Sequence, residues 1–172
     1  MDSIVRHYDP SDLEACRALW VELTQRHREI YNDPSIGGEA PGLFFDKHLA
    51  RVGPEHIWVA ECDGKVIALA GLILNEWAAD REAEVEPMVV AGSHRGQGIG
   101  RLLLDCLVEE VRKTGVRYLS IKPVARNLEA ISFYYELGFR KIGEIEMFME
   151  LDPSVPGTWK SGLELFGHTF EY

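Results

Sequence analysis

Three glycines within five residues, Gly96, Gly98 and Gly100, stand between an apolar run and an amphipathic pattern. The run Val89-Val90-Ala91 reads as the end of a strand. From about Gly98 to Thr114, Ile99, Leu102, Leu103, Cys106, Leu107 and Val111 recur at helical spacing. A strand entering a helix through such a turn lets the backbone approach a ligand closely. The N–H groups of the first helical turn have no partner within the helix and point outward. Together with the positive end of the helix dipole they make an anion site that suits a pyrophosphate. Arg95 and Arg101 add positive charge at the rim.

Several ligand classes use a loop of this kind. A P-loop needs Lys and Ser or Thr after its last glycine, whereas Gly100 is followed by Arg101-Leu102. A dinucleotide fingerprint spaces its glycines GxGxxG and places an acidic residue about 20 residues on. Here the third glycine comes one position early, and the next strand, Tyr118–Lys122, holds no acid. The pattern that fits is R-x-x-G-x-G: Arg95-Gly96-Gln97-Gly98-Ile99-Gly100, entering Arg101-Leu102-Leu103. It resembles the acyl-CoA pyrophosphate loop of the GNAT superfamily of N-acetyltransferases.

A second stretch, Asn127-Leu128-Glu129-Ala130-Ile131-Ser132-Phe133-Tyr134, closing in Leu137-Gly138-Phe139, resembles that superfamily's later motif. The likeness is specific over about residues 85–142 and architectural elsewhere. It implies an acetyltransferase using acetyl-CoA as acyl donor and an amine as acceptor, with direct transfer in a ternary complex. It implies that the loop residues Arg95 to Arg101, with Met88, Val89 and Val90 on the preceding strand, contact the cofactor. Asn127 would touch the pantetheine arm or diphosphate. Tyr134 would stand near the thioester sulfur as general acid, because a phenol with pKa about 10 is protonated at neutral pH. The alternative for Tyr134 and Tyr135 is packing on a short helix.

The strand before the loop carries Glu82, Glu84 and Glu86 at period two, hence on one face. An acceptor ammonium, pKa about 10.4 if lysine-like, must lose a proton before it attacks. Glu86 lies nearest the loop and matches the place where many superfamily members keep an acid. A solvated charged face competes with this reading at Glu84 and is the better one at Glu82. Pro87 lacks an N–H, so pairing must break beside it. That break would free backbone groups of Val89 and Val90, one of them serving as oxyanion donor.

The remaining chain supplies a frame. Residues 3–8 alternate as a first strand, and Ser11 with Glu14 reads as a capping box heading a helix. Leu13, Cys16, Leu19, Trp20 and Leu23 give that helix a buried face. Arg28–Gly42 reads as a long loop, and Leu43–Arg51 as a short helix. His56–Cys62 and Lys65–Leu74 form a hairpin about Asp63-Gly64, and a strand follows over Glu82–Val90. Val116–Val124 is a strand, Leu128–Leu137 a helix, Arg140–Leu151 a long strand and Leu163–Phe170 a last strand. The expected fold is one α/β domain over residues 1–172. Its mixed, mostly antiparallel sheet of about seven strands, splayed at the cofactor site, is flanked by about four helices.

Composition narrows the partners. A net charge of −10 argues against nucleic acid, which needs a basic face, and suits a cationic amine. The longest apolar run, Val66–Leu74, is too short to span a membrane, and the N-terminus lacks a signal-peptide pattern. Cys16, Cys62 and Cys106, widely spaced, read as small buried residues of a reducing compartment, which points to the cytoplasm. Six histidines show no ligand spacing, so no metal is expected. Trp77 is a candidate for the acceptor pocket, as are Tyr31, Asn32, Asp33, Glu39 and Trp159 in the loops before and after the core. The tail residues Phe166, Phe170 and Tyr172 offer a surface for a homodimer. A catalytically silent acyl-CoA-binding domain is the rival reading; a nucleotide-binding oxidoreductase is disfavoured by the missing ribose acid.

Overall fold

The computed structural model describes residues 3–75, 82–152, 154 and 159–172. Trp77 therefore lies outside the described residues. Strands β1 (Ser3–His7), β2 (Ile57–Cys62), β3 (Lys65–Asn75), β4 (Glu82–Val90) and β5 (Tyr118–Ile121) form one sheet in that spatial order. The first four pair antiparallel, and β5 adds to β4 in parallel. The β2–β3 connection is the two-residue turn Asp63-Gly64, both at positive φ (49° and 72°), which matches the right-handed twist of the strands.

Helix α1 (Leu13–Tyr31) and α2 (Leu43–Val52) cover one face of the sheet; α3 (Ile99–Lys113) covers the other. Strand alternation divides the core accordingly. Trp58, Ala60 and Cys62 point toward α3, while Ile57 and Val59 join Cys16, Leu19 and Phe45 on the α1–α2 side. Ile99, Leu103, Leu104, Leu107 and Val111 are the buried stripe of α3. Leu102, expected on that stripe, is 41% exposed; the stripe is set by the turn-to-turn drift of the helix and takes Leu104 instead. Arg112, Lys113 and Gly115 (φ 73°) close α3 as its sequence predicts.

Four further expectations need correction. The cap ahead of α1 is Asp9 with Asp12, not Ser11 with Glu14. Asp9 Oδ1 accepts from the Ser11 N–H (2.9 Å) and Asp12 Oδ2 from the Asp9 N–H (2.8 Å), heading a 3₁₀ turn. Asp12 is held there by Arg6, whose guanidinium keeps its carboxyl below the usual carboxylate range. Helix α1 continues through the expected loop start at Arg28 and ends on Asn32, whose φ of 52° supplies a left-handed cap. Residues 140–150 form no ladder and are exposed, despite their strand-like alternation. The last strand is instead a hairpin, β6 (Ser161–Leu165) and β7 (His168–Glu171), turned by Phe166-Gly167 at positive φ (53° and 78°). The seven strands thus divide into a sheet of five and a separate pair. Helix α4 (Leu128–Glu136) lies between β5 and this tail in sequence.

Candidate active site

The sheet opens where the glycine loop begins. Among the described residues, strand β4 pairs with β5 only over Glu82–Val85, against Tyr118–Ile121, and then runs on to Val90 with β3 alone beside it. Opposite Glu86-Pro87 the β3–β4 register slips between Ala70 and Leu72, which leaves Gly71 at the bulge. A side chain at Gly71 would begin 2.3 Å from the Glu86 carbonyl oxygen, so only glycine lets the strands approach there. The pairing break expected at Pro87 is therefore present.

Which backbone groups it frees differs from the expectation. The Ala91 N–H donates to the Ile67 carbonyl (2.8 Å), and the register continues as Val90–Ala68 and Val89–Leu69. Alternation then turns Val89 toward β3 and leaves the N–H groups of Met88 and Val90 facing the open edge. The Val90 carbonyl lies on that edge too and accepts from Arg95 Nε at 3.0 Å. Met88 and Val90, not Val89, are the oxyanion-donor candidates; the Val89 side chain is buried among the α1–α2 core.

The three glycines divide their work. Gly96 and Gly98 adopt positive φ (72° and 82°), and a Cβ at either would meet nothing within 4 Å. Their surface is open toward solvent beside the N-terminus of α3. A Cβ at Gly100 would instead stand 3.1 Å from Phe133 Cζ, so Gly100 lets α4 pack on the start of α3. Ile99 is 8% exposed and offers only its backbone to a ligand, whereas Arg95 and Arg101 are exposed. Gln97 Nε2 donates back to the Ser93 carbonyl (3.0 Å), and the Gly92 N–H to Glu22 Oε2 of α1 (2.8 Å). The loop is thus tied at its root and bare at its tip.

Helix α4 is capped by Asn127, whose Oδ1 accepts from the Ala130 N–H at 3.2 Å. That bond engages the oxygen; the amide N–H₂ is the donor group a cofactor would use. Phe133, against the start of α3, carries Tyr134 beside it, edge-on to Phe133 and Phe139 (ring centroids 5.2 and 5.9 Å). Tyr134 packs on the α3-side core, and burial pushes its phenol up to about 12. Tyr135 is 56% exposed and lies under Arg140.

The carboxylates are sorted by burial. Glu84 is 7% exposed and accepts from Lys122 Nζ at 2.8 Å, so it is not part of a solvated face. Glu86 is 44% exposed at its side chain, and Oε1 accepts from Arg51 Nη2 at 2.9 Å. Arg51 and His48 of α2 were not singled out by sequence; their i, i+3 spacing on a short basic-ended helix was the available signal. Tyr31 and Trp159 both stack on Arg126, 4.9 and 5.9 Å from its guanidinium carbon, beside the cap of α4. Asp33 is engaged locally, accepting from Ser35. Cys16 is fully buried and its thiol is pushed up to about 12; Cys106 is partly buried, and burial raises its thiol too. Among the described residues, no three His, Cys, Asp or Glu side chains gather where a metal could sit, and no helix is long and apolar enough to cross a membrane.

The fold is thus an α/β sheet parted between parallel strands, with a glycine-rich strand-to-helix turn at the mouth. Residues 16–139 match the family described as "Acetyltransferase (GNAT) family". The chain belongs to that family. N-acetyltransferase 8 of Rattus norvegicus is 30% identical over 98 residues, which is 55% of this chain and 42% of the rat protein. The chain thus spans less than half the length of that relative. A Trypanosoma brucei acetyltransferase shares the fold at a TM-score of 0.62 and 24% identity, covering 87% of this chain and 100% of that one. The structure of AAC(6')-Iy with the bisubstrate analog CoA-S-monomethyl-acetylneamine superposes at a TM-score of 0.63 and 16% identity, covering 87% of this chain and 99% of that one.

Proposed function

We propose that the chain transfers an acetyl group from acetyl-CoA to a primary amine by direct attack in a ternary complex. The observation that carries the proposal is the bare edge of β4 beyond Val85, ending in a loop whose Gly96 and Gly98 face open space. These residues suit the donor. Backbone N–H groups from Gly96 to Arg101 would take the pyrophosphate at the positive helix end. Met88 and Val90 would pair with the pantetheine arm as a strand would, and one of their N–H groups would stabilise the acyl oxygen as it gains charge. Acetyl-CoA supplies the activated acyl carbon. That a distant fold relative holds a CoA bisubstrate analog supports this placement.

Glu86 accepts a proton from the acceptor ammonium, directly or through water, which frees the lone pair that forms the C–N bond. Tyr134 donates its proton to the sulfur as the C–S bond breaks, and the second amine proton restores the phenol. Burial keeps the phenol protonated throughout the neutral range, so the proton is present to be given, while the raised pKa makes it a weaker acid than a free phenol. No side chain becomes acylated. Initial-velocity measurements test the scheme: lines that intersect when both substrates are varied are expected, and parallel lines contradict direct transfer.

A second reading, a silent acyl-CoA-binding domain, draws support from one observation. Both carboxylates near the break are engaged, Glu84 by Lys122 and Glu86 by Arg51. It predicts tight acetyl-CoA binding with no amine-dependent thiol release.

A further inference from the structure

His48 is 4% exposed, and its Nε2 is a fully buried nitrogen without a hydrogen-bond partner among the described residues. Its Nδ1 lies 3.1 Å from Arg51 Nη2. A guanidinium can only donate, so Nδ1 must be the acceptor, and in the neutral ring the proton sits on Nε2. The same Arg51 nitrogen donates to Glu86 Oε1 at 2.9 Å. One guanidinium nitrogen therefore joins a buried ring to an exposed carboxylate.

The surroundings fix the ring rather than the carboxylate. Trp20 of α1 packs on it at 5.5 Å between centroids. On the other side, a side chain at Gly71 would begin 2.6 Å from His48 Nε2, as well as 2.3 Å from the Glu86 carbonyl oxygen. The missing side chain at the bulge leaves room for both the imidazole and the Glu86 backbone. Arg51 and Glu86 alone would be an exposed ion pair, free to wander and weak in water. The contact with Nδ1 adds a buried anchor to the exposed ion pair.

We infer that His48 is a positioning residue for the acceptor side, holding Arg51 through Nδ1 so that Arg51 orients the Glu86 carboxylate. The inference rests on the reading of Glu86 as base. Burial and the neighbouring Arg51 both keep the imidazole neutral, as an acceptor must be; Glu86 opposes them. Were the ring protonated, two donors would face each other and the 3.1 Å contact would open.

The test combines kinetics with the state of the ring. His48→Phe fills the space and removes Nδ1; loss of a hydrogen bond to a charged group predicts a fall of about tenfold in kcat/KM for the amine, with the KM for acetyl-CoA unchanged. His48→Asn returns an acceptor oxygen near the Nδ1 position and should recover most of the loss. In a Glu86→Gln background His48→Phe should add nothing, because the residues act in series. Nitrogen chemical shifts of the ring should show Nε2–H with unprotonated Nδ1, and Arg51→Met should remove that preference. Equal losses from His48→Phe with and without a Glu86→Gln that itself slows the reaction overturn the inference alone, as does an Nδ1–H ring. A wild-type rate in Glu86→Gln instead refutes the base reading beneath it.

Discussion

Gly98 separates the cofactor reading from a purely structural one, because its backbone and its surroundings make different demands. It caps α3 at φ 82°, and an added Cβ meets nothing within 4 Å. Gly98→Ala therefore introduces no clash in the free protein; its cost is the left-handed backbone, about 1–2 kcal/mol for an L residue. For a chain of 172 residues that corresponds to a fall in Tm of roughly 2–8 °C, at about 2–4 °C per kcal/mol. Gly98→Asp should cost the free fold a similar amount. Toward a pyrophosphate the two variants part. Unit charges about 4 Å apart repel by roughly 1–4 kcal/mol between bulk water and a protein surface, a loss of affinity of about fivefold to nearly a thousandfold. Urea unfolding supplies the stability difference, and calorimetric titration with acetyl-CoA the affinities. Should Gly98→Asp stay folded and bind acetyl-CoA as Gly98→Ala does, the anion cradle is not at this turn.

Tyr134→Phe removes one hydroxyl from a packed ring and should lower kcat by about 10²-fold or more while leaving acetyl-CoA affinity intact, measured under conditions where chemistry limits. Because burial raises the Tyr134 pKa to about 12, the folded state keeps its proton where the unfolded phenol, near 10, loses it. The sign follows: this group's contribution to stability is whole below about pH 10 and lost between about 10 and 12, which unfolding curves across that window check. Glu86→Gln should slow the reaction most near neutrality and least as pH nears the amine's own pKa; Glu84→Gln, whose carboxylate is buried against Lys122, should chiefly lower stability. Rate profiles of the two that coincide contradict the choice of Glu86. Phe45→Ala, at a fully buried ring between Tyr8 and Trp20, should cost about 3–5 kcal/mol in urea unfolding, and a loss below 1 kcal/mol contradicts the core described.

The parts of the fold legible in sequence are those written locally. The Asp63-Gly64 hairpin and the α3 cap at Gly115 needed only turn chemistry and helical period, and both stand within a residue or two of expectation. Strand β4 was readable end to end. What failed was set by contacts distant in sequence. Residues 140–150 alternate like a strand, yet a strand exists only where a neighbour offers its edge, and alternation does not name that neighbour. Asp9 displaced Ser11 as cap because Arg6 holds Asp12, its partner in the capping box. In the site, the strand-to-helix turn at Gly96, Gly98 and Gly100 and the short helix carrying Tyr134 were legible because both are written at short spacing. The Arg51–His48 anchor was not, since α2 and β4 meet only in three dimensions, and the direction of the Val89 amide depended on a register.

The central claim is acetyl transfer to an amine, and thiol release from acetyl-CoA across a panel of amines and peptides tests it most directly. Direct transfer predicts release that is negligible without acceptor, rises with at least one amine and matches acetylated amine one for one. Saturating acetyl-CoA binding with no amine-dependent release from any member of a broad panel contradicts the account and leaves a domain that binds the cofactor without using it.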